Sequence, residues 1–308
     1  MTTRRHRDPW SDDPIIDWAS PRVSLALLMP DNAPTLDLVA KHALEWLWET
    51  DSLGVIPTPL MEISSAAGLA RPIDLYERAK LPARAHRAVK KYQGVVLGAF
   101  GRDDRQIFLD HSLKNFQLRM TMGHELAHAL LPWQQRAFYV DGHSTLDPST
   151  VDEFDRQANR FAEDLVFQLE WFIAEAAESK LSMANALLLA GSWQAPPLEA
   201  VRRYVSRNPK VCGLICLRAD QHSGFRRPRI SSAHESPTFR RQFGSLQECL
   251  RGPKERLFEL YSELSRFVND YPKTDLGEAS IVLETERGLK AFLAEITIES
   301  DYLVVFIR

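Results

Sequence analysis

Hydrophobic residues recur at helical spacing over most of the first two thirds of the chain. Apolar positions three and four apart predict helices at 35–49, 60–67, 113–131, 181–190 and 198–205. A longer helix is predicted to begin at Ser149 or Thr150, either of which can cap it, and to run past Leu169. Apolar and β-branched runs at 93–100 and 106–110, joined by a short polar segment, predict a β-hairpin.

After residue 210 the pattern changes to short apolar runs that are typical of strands. Strands are predicted at 211–217, 226–232, 280–286, 290–299 and 302–308, with an amphipathic helix at 253–268. An α+β fold in three parts is therefore expected. We expect residues 30–180 to form a mainly helical domain with a small β-hairpin or sheet. Residues 181–208 are expected to form a helical connector, and residues 209–308 are expected to form an α+β domain with an antiparallel sheet.

Composition narrows the class of protein. The chain has 308 residues, of which 44% are hydrophobic and 26% charged, which excludes wholesale disorder. No stretch approaches the roughly 20 apolar residues of a membrane span, and the N-terminus lacks the apolar core of a secretory signal. Three cysteines cannot form a disulfide framework, and Cys212 and Cys216 are predicted to be core thiols. We expect a cytoplasmic protein without membrane contact.

The formal net charge of −3 is unevenly distributed. Residues 201–241 contain ten Lys or Arg but only Asp220 and Glu235 as acids. Such a stretch indicates either a surface for nucleic acid or an acidic partner, or an ordinary solvated face. The segments 181–190 and 198–205 resemble a helix-turn-helix, but their turn is longer than the usual three or four residues, which argues against direct DNA binding.

The segment His124-Glu125-Leu126-Ala127-His128 carries the clearest chemical signal in the chain. On a helix, residues four positions apart project from the same face, so both imidazoles can reach one metal ion. Glu125 lies beside them and can accept a proton from water held there. This HExxH arrangement is typical of zinc hydrolases. The alternative is a pair of ordinary helical histidines, each with its own hydrogen bond.

A catalytic zinc needs a third protein ligand and an open position for water. The longer motif HExxHxxGxxH would supply that ligand, but Leu131 and Gln134 stand where it has Gly and His. The third ligand is therefore expected farther along the chain, most naturally on the helix that begins near residue 150.

Periodicity selects among the acids of that helix. Asp155 is in line with Ala158 and Ala162 on the apolar stripe, where a carboxylate needs a cationic partner and the small side chains leave room for an ion. Asp155 is the favoured third ligand. The alternatives that stay open are Glu153, Glu163 and His143.

Two segments carry a family resemblance. The first is RMTMGHELAH at 119–128, and the second is DRQANRFA at 155–162. Together they resemble the ImmA/IrrE family of metallopeptidases, whose pattern is R-F-T-x-[AG]-H-E-x-[GA]-H followed by E-x-x-A-N-x-F-A. The chain departs from this pattern at Met120, at Asp155 where the family has Glu, and after the second motif, where Leu165-Val166-Phe167-Gln168 replaces Leu-Leu-Met-Pro.

The resemblance implies a zincin-like, zinc-dependent peptidase that cleaves a helix-turn-helix (XRE-type) repressor and so derepresses stress-response or mobile-element genes. It implies His124, His128 and Asp155 as metal ligands, with Glu125 as the catalytic residue. Zn²⁺ is the expected ion, and Mn²⁺ also suits this ligand set. The radiation-response members of the family carry a GAF-like sensor domain, which implies the same for 209–308. The alternative is a non-catalytic, metal-stabilised protein-binding regulatory module.

Overall fold

The computed structural model of the chain describes residues 35–77, 97–101, 104–135, 148–220, 224–250, 277–299 and 302–308. The chain divides into two compact units built from interleaved segments. The first unit comprises 1–50, 61–111 and 121–164, and the second comprises 51–60, 112–120 and 165–308. The division into three consecutive domains stays a prediction.

The first unit is mainly helical. Its helices are α1 (Leu36–Glu49), α2 (Leu60–Ala66), most of α3 (Asn115–Leu130) and most of α4 (Pro148–Val166). Helix α1 begins as predicted, because the Thr35 hydroxyl accepts the backbone N–H of Leu38 and caps the first turn. Apolar residues of these helices form a buried core that includes Val39, Leu126 and Phe161.

A small sheet completes the first unit. It consists of β1 (Ala70–Asp74), β2 (Gly98–Gly101) and β3 (Gln106–Leu109), in the order β1-β3-β2. The antiparallel pair β2–β3 confirms the predicted hairpin, of which residues 93–96 lie outside the described residues. Strand β1 pairs in parallel with β3 and was not predicted, because its sequence ARPID lacks an alternating apolar pattern.

The prediction that one helix runs past Leu169 is wrong. Helix α4 ends at Val166, and α5 (Glu170–Glu178) follows after a break. The break occurs because Gln168 and Leu169 have φ angles of 47° and 53°, which an α-helix cannot accommodate. The break between the two helices therefore lies at the position where Gln168 replaces the Pro of the family pattern.

The side chain of Gln168 binds the loop that precedes α2. Its carbonyl oxygen accepts the N–H of Gly54 at 2.6 Å, and its amide nitrogen donates to the carbonyl oxygens of Ser52 at 3.2 Å and Val55 at 2.6 Å. Gln168 is completely buried. A buried amide with its donors and acceptor satisfied fixes this loop against the end of α4.

The second unit combines helices with a five-stranded sheet. Its remaining elements are α6 (Met183–Ser192), α7 (Pro197–Ser206), β4 (Gly213–Asp220), β5 (Gly224–Glu235), α8 (Pro237–Phe243), α9 (Leu246–Cys249), β6 (Gly277–Thr285), β7 (Gly288–Glu299) and β8 (Tyr302–Ile307). The strands pair antiparallel in the order β5-β4-β8-β7-β6. The α+β class is confirmed. The GAF-like assignment stays a prediction, and the helix predicted at 253–268 lies outside the described residues.

One face of this sheet carries the core of the second unit. Its buried residues include Ile215, Phe292 and Val305, and α8 and α9 contribute Phe239 and Leu246. Cys212 and Cys216 are free and completely buried, which confirms them as core thiols. Burial raises the pKa of Cys212 to about 12, so this thiol stays protonated at neutral pH.

Several cations of the basic stretch are paired within the second unit. Arg202 binds Glu199 at 2.7 Å, and Arg240 binds Glu235 at 2.6 Å. These ion pairs neutralise part of the charge that the sequence concentrates at 201–241, which favours the interpretation as a solvated face. Among the described residues, no helix is long and apolar enough to cross a membrane.

Glu295 links the sheet to α6 and to the end of the chain. Its side chain is 8% exposed, accepts the backbone N–H of Met183 at 2.7 Å and pairs with Arg308 at 2.9 Å. We expect Glu295→Ala to lower the free energy of unfolding by about 1.5–3 kcal/mol, since two hydrogen bonds to a charged group are lost in a buried place. Urea denaturation measures this change. The exposed Glu178 provides the control Glu178→Ala, and an equal loss in both variants would contradict the role of Glu295.

Candidate metal centre

Helix α3 carries the HExxH segment, and the structure brings its two histidines together with Asp155 of α4. The Nε2 atoms of His124 and His128 lie 3.0 Å apart. Oδ1 of Asp155 lies 3.9 Å from Nε2 of His124 and 3.8 Å from Nε2 of His128. The ligand atoms of these three residues all lie within 4.8 Å of one another.

These separations suit a tetrahedral metal ion. Bonds of about 2.1 Å from zinc to nitrogen and oxygen place ligand atoms about 3.4 Å from one another. The observed separations of 3.0, 3.8 and 3.9 Å lie on both sides of that value. Two imidazoles and a carboxylate are also the donor set of many catalytic zinc sites, which keep a fourth position for water.

The other ring nitrogens fix the tautomers of the two histidines. Nδ1 of His124 lies 2.9 Å from Oδ1 of Asn159, and Nδ1 of His128 lies 2.7 Å from Oε1 of Gln134. With these amide oxygens as acceptors, each Nδ1 carries the hydrogen and each Nε2 presents a lone pair, which is the form of a histidine that binds a metal ion. Two lone pairs 3.0 Å apart repel each other unless a cation lies between them, so the donor set fits a metal ion.

A close approach of α3 and α4 allows the short Asp155 side chain to reach the histidines. A Cβ atom on Gly123 would lie only 3.0 Å from Cβ of Ala162, so the two helix backbones meet there without an intervening side chain. Asp155 is seven residues before Ala162 and therefore on the same face of α4. The expectation that Asp155 lies on a buried stripe of this helix is wrong, because its side chain is 56% exposed.

The other candidate ligands do not join this group. Glu153 binds Arg156 at 2.7 Å and accepts the amide of Gln157 at 2.8 Å. Glu163 is not part of the cluster that the described residues form, and His143 lies outside the described residues.

Glu125 combines burial with a position beside the candidate ligands. The residue is 6% exposed. Burial, and to a smaller extent the negative charge of Asp155, raises the pKa of Glu125 to about 8. A bound cation would oppose both effects and favour the carboxylate. A carboxyl group whose charge depends on its surroundings in this way is suited to accept and release a proton.

Strand β2 lies directly against Glu125. A Cβ atom on Gly98 would lie 2.6 Å from Cγ2 of Thr121 and 2.8 Å from Oε1 of Glu125, distances that real side chains do not tolerate. Only glycine therefore allows this strand to lie over the HExxH helix in the observed position. The position of β2 at Gly98 therefore limits where the carboxyl group of Glu125 can lie.

We expect Gly98→Ala to displace Glu125 and to lower catalytic turnover by about 10²-fold, the usual cost of a misplacement of about 1 Å. Gly191→Ala is the matched control, because no atom lies within 4 Å of its added methyl group. The substitution in α6 should leave turnover unchanged and stabilise the helix slightly. Turnover measured on both purified variants checks this, and wild-type turnover in Gly98→Ala would contradict the contact.

Sequence reasoning missed three residues of this centre. Gln134 contributed to that reasoning only as a position that lacks a histidine, and Asn159 only as part of the segment 155–162. Gly98 gave no signal of its own. An Asn four residues after the favoured Asp, on the same helical face, could have identified Asn159, whereas Gln134 follows the end of α3 and has no periodic relation to His128.

Comparisons with known proteins agree with this architecture. Residues 81–204 match the Peptidase_M78 family model, described as the IrrE N-terminal-like domain, and this span includes His124, Glu125, His128 and Asp155. A solved structure of a Mycobacterium tuberculosis transcriptional regulator aligns with a TM-score of 0.50 at 13% identity, over 93% of this chain and 79% of that chain. At that identity the likeness concerns the fold alone. A search of curated proteins found no match.

Proposed function

We propose that the chain, whose residues 81–204 match the IrrE N-terminal-like domain of the Peptidase_M78 family, is a zinc-dependent endopeptidase that cleaves a helix-turn-helix repressor. Loss of the repressor would release transcription of stress-response or mobile-element genes. The observation that carries the proposal is the convergence of two imidazole Nε2 atoms and one carboxylate beside a buried glutamate.

His124, His128 and Asp155 would hold the ion through Nε2, Nε2 and Oδ1. When bound, the ion supplies a Lewis acid that lowers the pKa of water and polarises the scissile carbonyl group. Asn159 and Gln134 keep hydrogen on the Nδ1 atoms and so direct the Nε2 lone pairs toward the centre. The partly exposed position of Asp155 leaves the centre open to solvent on that side.

Glu125 acts as the general base and then as the general acid. Its carboxylate accepts a proton from the attacking water, and the protonated group then donates that proton to the leaving amine of the cleaved peptide bond. Its burial suits both steps, because low solvation makes the neutral form accessible and a nearby cation makes the charged form accessible. Gly98, which has no side chain, leaves room for the carboxyl group beside β2.

Cleavage of a repressor is tested directly by incubating the purified protein with zinc and purified helix-turn-helix repressors of the XRE type. Mass spectrometry of the products identifies the cleaved bond. The proposal expects a single cut in one repressor, and no cut after the metal is removed with a chelator. Cleavage of unrelated unfolded proteins at many sites would replace it with an unspecific peptidase.

A further inference from the structure

His128 is the end point of a chain of buried hydrogen bonds. Oε1 of Gln134 faces Nδ1 of His128 at 2.7 Å, and Nε2 of Gln134 donates to Oε1 of Gln157 at 3.2 Å and to the carbonyl oxygen of Phe154 at 3.1 Å. The indole N–H of Trp133 donates to the same Oε1 of Gln157 at 2.8 Å. Gln134 and Gln157 are completely buried, and Trp133 is 2% exposed.

The direction of these hydrogen bonds is fixed by groups that can only donate or can only accept. An indole N–H only donates, so the group of Gln157 that faces Trp133 must be its carbonyl oxygen. The amide nitrogen of Gln157 then faces the carboxylate of Glu153 at 2.8 Å, which only accepts. In the opposite orientation, Gln157, which is completely buried, would place donor against donor and acceptor against acceptor.

The orientation of Gln134 follows from the same rule. Its neighbours on one side, the carbonyl oxygens of Gln157 and Phe154, only accept, so its amide nitrogen must face them. Its carbonyl oxygen must then face His128 and accept a hydrogen from Nδ1. Rotation of the Gln134 amide by 180° would require the hydrogen on Nε2 instead, and this would occupy the lone pair that points toward His124 and Asp155.

We propose that Gln134 and Gln157, oriented by Trp133, are positioning residues that hold His128 in the Nδ1–H tautomer with Nε2 available to the metal. The inference rests on the proposed metal centre, but the hydrogen bonds that orient Gln134 toward His128 are made by the chain itself. His124 is held differently, because its partner Asn159 is exposed. The surroundings therefore fix the tautomer of His128 more firmly than the tautomer of His124.

The test replaces Gln134 with Met, which has a similar volume but neither donates nor accepts strongly. Gln135→Met is the matched control: Gln135 is the next residue, and its amide binds the carbonyl oxygen of Ala129 instead of a histidine. Nitrogen chemical shifts of the imidazole rings, measured by NMR on metal-free protein at pH 8, report which nitrogen of His128 carries the hydrogen. Competition with a chromophoric chelator measures the zinc dissociation constant.

In wild type and in Gln135→Met, we expect the Nδ1–H form of His128. In Gln134→Met, we expect a mixture with the Nε2–H form and zinc binding weaker by about 10- to 100-fold, the range found when a residue that supports a metal ligand is removed. An unchanged tautomer in a folded Gln134→Met protein would overturn the inference, whatever its zinc affinity.

Two further measurements separate this inference from the proposed function and from a folding defect. If wild type binds no zinc but the tautomer changes in Gln134→Met, the positioning role is supported and the metal centre is not. If Gln134→Met fails to fold, Trp133→Phe replaces it, because it keeps an aromatic side chain at this position and removes the indole N–H that orients Gln157. Trp133→Phe should then admit a smaller share of the Nε2–H form than Gln134→Met, because Glu153 and the Phe154 carbonyl oxygen still orient the two amides, and a pure Nδ1–H form in that variant would contradict the role of Trp133.

Discussion

Glu125→Gln is expected to lower the rate of repressor cleavage by about 10²- to 10⁴-fold, the contribution of a positioned general base. The amide has the shape of the carboxyl group but cannot accept a proton from water. Burial already favours the neutral form of Glu125, so the neutral amide should fit without loss of stability. The variant should bind zinc as wild type does, because Glu125 is not a ligand in the proposed centre.

Cleavage and zinc content measured together decide this prediction. Glu62→Gln is the matched control, because it makes the same change at an exposed position of α2 in the same unit. Undiminished cleavage by Glu125→Gln would contradict the role of this residue. If instead both variants relieve repression without any cleavage, the non-catalytic, metal-stabilised binding module becomes the better account of the chain.

Asp155→Ala and His124→Ala are each expected to remove the single equivalent of zinc that wild type should hold. Loss of a direct ligand should weaken binding more than the 10- to 100-fold cost of losing a supporting residue, so we expect a change above about 100-fold. Asp155→Glu restores the residue of the family pattern and should retain zinc. Elemental analysis after dialysis measures all three variants.

Asp152→Ala provides the control for the loss of an acid from α4, since Asp152 is exposed and three residues earlier in the same helix. Zinc that is lost from His124→Ala but kept by Asp155→Ala would assign the third ligand to Glu153, Glu163 or His143 instead. Wild-type protein without zinc, even after reconstitution, would contradict the metal centre as a whole.

The sequence predicted which residues of the centre lie together better than it predicted how exposed they are. A spacing of four residues is enough to place His124 and His128 on one face of a helix, whatever the rest of the fold does. The choice of Asp155 used the same periodicity, and the structure places it beside both histidines. Its burial could not be predicted, because the exposed fraction depends on where along α4 the neighbouring helix crosses, and no local pattern encodes that position.

The elements that the sequence missed depend on contacts between distant residues. Strand β1 exists because β3 supplies hydrogen-bond partners, although its own residues have little strand propensity. The end of α4 at Val166 depends on Gln168, whose amide finds partners more than a hundred residues earlier in the chain. In both cases contacts with distant residues override the local preference for helix or strand, and the periodicity of the sequence does not reveal such contacts.

The hydrogen bonds between Gln168 and the loop at 52–55 limit where the chain can be truncated or recombined with a relative. Because Gln168 belongs with Ser52, Gly54 and Val55 in one compact unit, that unit is assembled from stretches on both sides of the HExxH segment. A truncated fragment that stops before residue 168 leaves the 52–55 loop with unsatisfied backbone groups. If two relatives exchange their C-terminal regions during evolution, these hydrogen bonds are kept when the crossover lies beyond Gln168. A crossover before Gln168 keeps them only if the loop at 52–55 is exchanged together with the C-terminal region.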